Sequence, residues 1–344
     1  MTRLERLTAA LEDPLLVTTP VNVRYLTGFE STNAAVLVAQ DHVRLFTDFR
    51  YAEAARNVEG VEFVETERNI LRGISPHLDG RLAFEAAHMT YAGWDLLRTA
   101  GHDLVPTTGV VERLRAVKDD DELEAIRAAS EITNEAYARI AEQRFVGRSE
   151  RELGFAFDAI QQELGAHANA FPTVVASGPN AAVPHHHSSE RVIRENETVV
   201  IDAGASVGGY ASDCTRTFAT GALSDELRRA YDVCLEAQVE GLANVAPGIS
   251  GRDADAGARG VIDDAGLGAY FGHGLGHGVG LMVHEAPTLR PESHDVLAEN
   301  NVVTVEPGIY LPGVGGIRIE DLVVVREDAP VVLTSFTKEL ITVG

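Results

Sequence analysis

Residues 199–218, VVIDAGASVGGYASDCTRTF, leave the chain little freedom. The apolar run Val199-Val200-Ile201 reads as a buried strand ending at Asp202. The small residues from Ser206 to Gly209 read as a turn, and a second strand then carries Asp213. The pattern predicts a hairpin. With the turn centred between Val207 and Gly208, Asp202 stands directly opposite Asp213 on one face, about 5 Å away at Cβ. Like charges so placed repel, and burying an unpaired carboxylate costs several kcal/mol. Something positive must lie between them, either a basic side chain or, better, a divalent metal. The apolar lead-in to Asp202 argues against the alternative of a solvated hairpin with two surface aspartates.

Residues 301–325, NVVTVEPGIYLPGVGGIRIEDLVVV, repeat the logic. A turn centred on Gly313 sets Glu306 opposite Glu320, with Pro307 marking a bulge or strand end. Arg318 lies two residues before Glu320 on the same face, so an ion pair between Arg318 and a carboxylate is an alternative to metal. Between the hairpins lies HGLGHGVGLMVHE, with His273, His277 and His284. Its glycines make a continuous helix costly, which excludes a helical zinc motif. They also let the backbone approach a neighbour closely and free the imidazoles to point inward. Four carboxylates and an imidazole suit two divalent metals about 3.5 Å apart, with a bridging water acidic enough to be hydroxide at neutral pH. Oxygen-rich ligands favour manganese, with cobalt or zinc possible.

At 344 residues the chain has room for two domains. A net charge of −23 and the lack of any basic patch exclude a nucleic-acid partner and favour cations. Lys118 and Lys338 are the only lysines, which reads as a compositional habit. Cys214 and Cys234 are too few for a disulfide framework. No signal-peptide pattern and no apolar run of 18 residues is found, so a cytoplasmic protein without a membrane partner is expected.

The N-terminal part reads as a small α/β unit with a mixed sheet. Helices are expected at 3–12, 49–58 and 91–101, and strands at 15–19, 34–48 (a hairpin turning at Gln40-Asp41), 61–66 and 81–86. A boundary near 112–120 separates domains 1–115 and 116–344. Past it, Asp119 to Glu122 cap a helix whose stripe is Leu123, Ile126, Ile132, Ala136 and Ile140. Further helices are expected at 149–164, after Ser224 and after Ser250.

The order Asp202, Asp213, His277, Glu306, Glu320, set in IDAG, GYASDCTRTF, HGLGHGVG, VHE, TVEPGIY and GIRIED, resembles the pita-bread metallopeptidases. That group includes methionine aminopeptidase, aminopeptidase P and prolidase, with creatinase as a relative. The segment FPTVVASGPNAAVPHH is similar to the family stretch that supplies a substrate-facing histidine, here His185. TTPVNVRYLTGF and LFTDFRYAEAA are similar to the N-terminal domain of the Xaa-Pro peptidases. The resemblance implies an α/β (α+β) fold, a creatinase-like N-terminal domain followed by a pita-bread catalytic domain. It also implies a homodimer.

It further implies roles. Asp202 would chelate one of two metals, Asp213 and Glu320 would bridge both, and His277 and Glu306 would complete the shell. Glu306 would also handle the proton of the attacking hydroxide. His284 and His185 would hold the substrate and its oxyanion, while His186 and His187 would be loop residues. The substrate would be a small peptide with proline at its second position. A prolidase cutting Xaa-Pro dipeptides needs a cation for the proline carboxylate, for which Arg290 and Arg318 are the candidates. The alternatives are an aminopeptidase P acting on longer peptides and a non-catalytic peptide-binding module.

Overall fold

The computed structural model describes all residues, 1–344. The chain divides into two compact units, Met1–Arg115 and Ala116–Gly344.

In the first unit, β1 (Leu15–Val17) sits inside a six-stranded sheet with β2 (Ala34–Val38), β3 (Val43–Asp48), β4 (Glu62–Thr66), β5 (Arg81–Glu85) and β6 (Asp103–Thr107), in the order β4-β3-β2-β1-β5-β6. The pairings β3-β2 and β2-β1 are antiparallel and those of β4-β3, β1-β5 and β5-β6 are parallel, so the sheet is mixed. The helices are α1 (Arg3–Ala10), α2 (Pro20–Thr27), α3 (Ala52–Ala55), α4 (Ile70–Ile74), α5 (Tyr91–Thr99) and α6 (Val110–Ala116). The helix expected over 49–58 is therefore one turn only. Asp48 explains its late start, because this carboxylate accepts from the Arg50 backbone and is gripped by the Arg50 guanidinium.

The second unit holds two similarly built halves. In the first half, α7 (Asp120–Ala141) and α8 (Glu150–Glu163) pack on β8 (Val174–Ser177), β9 (Thr198–Ala203) and β12 (Cys214–Ala219), burying Tyr137, Phe157, Val199, Ile201 and Phe218. The helix α7 opens on a capping box from Asp119 to Glu122. Its buried stripe runs through Thr133 and Tyr137, while Ile132 is only half-buried. Tyr137 sits there because its hydroxyl donates to the carbonyls of Ile201 and Cys214, tying the helix to both strands. The short strands β7 (Ala168–Asn169), β10 (Ala205–Val207) and β11 (Tyr210–Ala211) extend the hairpin.

In the second half, α9 (Asp225–Ala243) and α10 (Gly251–Asp264), capped by Ser224 and Ser250, cover an apolar layer that includes Val303, Val305, Ile309 and Ile317. That layer belongs to β13 (Gly276–Gly278), β14 (Glu285–Leu289), β15 (Val302–Val305), β16 (Gly308–Leu311), β17 (Gly315–Arg318) and β18 (Asp321–Val324), with β19 (Val331–Val332) at the edge. No helix is long and apolar enough to cross a membrane.

The two hairpins differ in how they turn. Gly208 and Gly209 both have positive φ, 57° and 86°, as a two-residue type I′ turn requires. That centres the turn one residue later than the sequence suggests. Asp202 therefore pairs with Thr215, and Asp213 is its diagonal neighbour instead of lying directly across. In the second hairpin the register does centre on Gly313: Gly308 pairs with Arg318 and Val305 with Asp321, which sets Glu306 across from Glu320.

Candidate active site

Both hairpins are interrupted at or beside their carboxylates: Asp213, Glu306 and Glu320 lie in the breaks, and Asp202 stands in β9 two residues before one. Regular pairing lapses at Gly204 and at Ser212-Asp213 in one, and at Glu306-Pro307 and Ile319-Glu320 in the other. Gly204 permits the first lapse, since a Cβ there would lie 1.9 Å from the Ser212 carbonyl oxygen. Pro307 permits the second, having no N–H to offer a ladder. At these breaks the side chains turn into one cavity of about 330 Å³. The chain brings Asp202, Asp213, His277, Glu306 and Glu320 together there, along with His185, His284, Arg290 and Arg318. Asp213 and Glu320 are buried at the floor, whereas His185, His284 and Arg290 are exposed in the wall.

The floor is electrostatically unbalanced. Ligand atoms of Asp213, His277 and Glu320 all lie within 4.8 Å of one another. Burial, and then the charge of Glu320, pushes the Asp213 carboxyl well above its usual range. Burial and the Glu306 charge do the same to Glu320. Burial also raises Asp202, whose Oδ1 is buried with no hydrogen-bond partner. Glu306 behaves oppositely. Burial opposes its ionisation, but its contact with His277, 3.1 Å from Nε2 to Oε1, brings it down to about 2. His277 answers in kind: burial opposes its protonation, yet Glu306 raises it.

The Nδ1 of His277 donates to the Gly278 carbonyl at 3.1 Å, leaving Nε2 aimed at Glu306 and, at 3.7 Å, Asp213. Fixing one ring nitrogen on a carbonyl is how a metal-binding imidazole is oriented. Clustered oxygen donors, one oriented imidazole and an orphaned buried carboxylate oxygen fit a divalent cation.

A second ring of residues holds these groups. Arg318 donates to Asp202 Oδ2 at 2.6 Å, to Thr215 Oγ1 at 3.0 Å and to the Tyr310 hydroxyl at 3.1 Å. Thr215 passes a hydrogen bond to Glu320 Oε2 at 2.7 Å. Tyr310, which burial pushes up to about 12, lies 2.9 Å from His273 Nε2. Burial lowers His273, so its ring stays neutral; its Nδ1 donates to the Gly274 carbonyl and its Nε2 accepts from Tyr310. Burial and nearby His277 also lower His284, whose ring meets that of His277 edge-on at 4.2 Å. Sequence reasoning assigned nothing to Thr215, Tyr310 or Phe171. The signal available for Tyr310 was its place four residues after Glu306, on a strand with inward-facing partners.

The comparisons with known proteins agree with this geometry. Residues 124–327 match the model of Metallopeptidase family M24, and residues 3–117 match that of the Creatinase/Prolidase N-terminal domain. The chain belongs to the M24 metallopeptidases. Its fold is the mixed α/β arrangement of that family, with the creatinase-type domain first, and the chain is a peptidase. It is 32% identical over 350 residues to the Xaa-Pro dipeptidase of Pyrococcus furiosus, covering 98% of this chain and 99% of that protein. Among solved structures it superposes on the Xaa-Pro dipeptidase from Bacillus anthracis with a TM-score of 0.95 at 38% identity, covering 99% of each chain. It superposes on the X-Pro aminopeptidase from Thermotoga maritima MSB8 with a TM-score of 0.91 at 32% identity, covering 100% of each.

Proposed function

We propose that this metallopeptidase is an Xaa-Pro dipeptidase that cleaves the bond before a C-terminal proline. The observation that carries the reading is the convergence of four carboxylates and His277 on one small cavity whose wall includes Arg290. A cavity of about 330 Å³ is at the small end for ligand sites. In this reading Asp202, Asp213, His277, Glu306 and Glu320 hold two divalent ions, manganese first. When bound, the pair supplies an acidic water as nucleophile and polarises the scissile carbonyl. Two buried free thiols, Cys214 and Cys234, suit a cytoplasmic setting, and a homodimer belongs to the same proposal.

The residues divide the remaining work. Glu306, ionised at neutral pH, takes the proton of the attacking water and returns it to the departing proline nitrogen. His284 stays neutral, so it offers an N–H to the developing oxyanion without adding a charge. His185, which also lines the cavity, holds the substrate. Phe171 and Val174 offer the apolar surface that a proline ring needs. Arg290 pairs with the proline carboxylate, because the donors of Arg318 are already directed to protein groups.

Hydrolysis of Ala-Pro against Ala-Pro-Ala, with manganese, cobalt and zinc in turn, tests the reading. Dipeptide turnover well ahead of tripeptide is expected. The reverse preference would make the chain an X-Pro aminopeptidase, the name carried by its Thermotoga maritima relative. Neither metal uptake nor cleavage would return it to the binding-module reading.

A further inference from the structure

His185 stands on a segment with almost no regular structure. After the 3₁₀ turn Gly178–Ala182 the chain runs through Pro184, His185, His186 and His187 without joining a strand until Thr198. Such a segment loses little by moving, yet an oxyanion or substrate donor must be held to a fraction of an ångström. Something has to fix it.

The fastening is Glu150, the first residue of α8. Its side chain is buried completely. Its Oε1 accepts from the Ser177 backbone and hydroxyl, both at 2.8 Å, and from Asn180 Nδ2 at 3.0 Å. Its Oε2 accepts from His186 Nε2 at 2.8 Å, from the Ser189 hydroxyl at 2.6 Å and from the Ser189 backbone at 3.1 Å. One oxygen thus grips the start of the segment and the other its end. The hydroxyls are held in turn, as Ser177 accepts from Arg191 Nη1 and Ser189 from the Arg191 backbone. Between the two grips the segment lies against β17: a Cβ on Gly316 would sit 1.9 Å from the Ala181 carbonyl oxygen.

A carboxylate taking six donors is far more than helix capping requires, and the first turn of α8 favours its charge. We propose that Glu150 and His186 form a latch that positions His185, so that both are positioning residues for the peptidase reaction. His186 is therefore more than a loop residue: its imidazole is the donor from the position adjacent to His185. The inference rests on the reading of His185 as substrate-facing.

A double-mutant cycle on the full, metal-loaded protein tests it. H186A and E150Q should each lower kcat/KM for Ala-Pro by roughly 10- to 10²-fold, the scale for misplacing a catalytic group. Metal content and the far-UV spectrum should stay unchanged. Should E150Q fail to fold, S189A takes its place, since it removes one donor and no charge. In an H185A background the same substitutions should cost almost nothing further, because the group they place is gone. Losses that add in full on top of H185A, or no loss at all, would overturn the proposal. Hydrogen exchange over 177–189 gives the independent readout and should quicken in H186A. Unchanged exchange there would remove the latch alone, whereas full activity in H185A would remove the reading of His185 and the latch's catalytic role with it.

Discussion

Asp213 and Glu320 are the residues whose charge the fold most resists, so they report most directly on a bound cation. Changing Asp213 to Asn or Glu320 to Gln removes a charge that deprotonated ligands must supply. Activity should vanish and metal content should fall below the wild-type complement while the fold persists; elemental analysis decides, and full occupancy in either variant would end the assignment. Arg290 offers a second test at this scale. Arg290→Ala should lose roughly ten- to a hundred-fold in kcat/KM on a free Xaa-Pro acid, the scale of one charge-assisted hydrogen bond. It should lose less on the amidated dipeptide, and equal losses on the two substrates would take Arg290 out of the pocket's chemistry. The grouping of these residues was legible because Asp202 and Glu306 each close an apolar run and Asp213 and Glu320 stand on the returning half of the same hairpins. The web from Arg318 through Tyr310 to His273 was not: Arg318 and Tyr310 meet diagonally within one hairpin, but His273 reaches Tyr310 from a distant segment, a contact that spacing along a strand does not encode.

Among the elements, the hairpins show what a sequence can and cannot specify. Gly313 alone has positive φ in its turn, at 77°, and the register follows from it. Two adjacent glycines offer two possible centres, and the choice made at Gly208-Gly209 shifts Asp202 from Asp213 to Thr215. The helix α2 is not legible in the sequence although Pro20 stands in its first turn and Gly28 closes it with a φ of 69°, because its eight residues show too little periodicity. The two lysines carry more than composition suggested. Lys118 is paired with Glu285 at 2.9 Å and Lys338 with Asp321 at 2.7 Å, each carboxylate directly following a candidate site residue. Lys118 is fully buried, so Lys118→Met should destabilise by about 3–5 kcal/mol, the cost of stranding a buried charge; the denaturant midpoint measures it, and a loss under 1 kcal/mol would mean Glu285 relaxes to water. The Glu150 latch has its own pH signature. Burial pushes this carboxyl up, but the donors from Ser189, His186 and Ser177 outweigh it and hold it below the ordinary 4.5. A depressed folded-state value stabilises above the unfolded value and is lost as pH falls through the folded one. Wild type should therefore lose more stability than Glu150→Gln as the pH drops below about 4.5, and the two should converge in strong acid.

At the scale of the whole molecule, every candidate ligand lies in residues 116–344, while residues 1–115 have a core of their own around Leu16, Phe46, Phe84 and Leu97. Metal binding is then a folding force acting on the second unit. Asp202, Asp213 and Glu320 are driven together by strands whose apolar faces must be buried, and their mutual repulsion opposes that packing. A cation that binds the folded site and not the unfolded chain removes the opposition and adds RT ln(1 + [M]/Kd), about 2.7 kcal/mol at a hundred times Kd. Titrating manganese into chelator-treated protein should raise the melting temperature with the logarithm of free metal, and chelation should reverse it. Hydrogen exchange should place the gain in β9, β12, β15 and β18, the strands that carry or adjoin the carboxylates, while β1 to β6 exchange as before. The same titration on Asp213→Asn should be nearly flat. A metal-dependent shift undiminished in that variant would mean the ions stabilise the chain from somewhere other than this cavity, and the hairpin carboxylates would then need another positive partner.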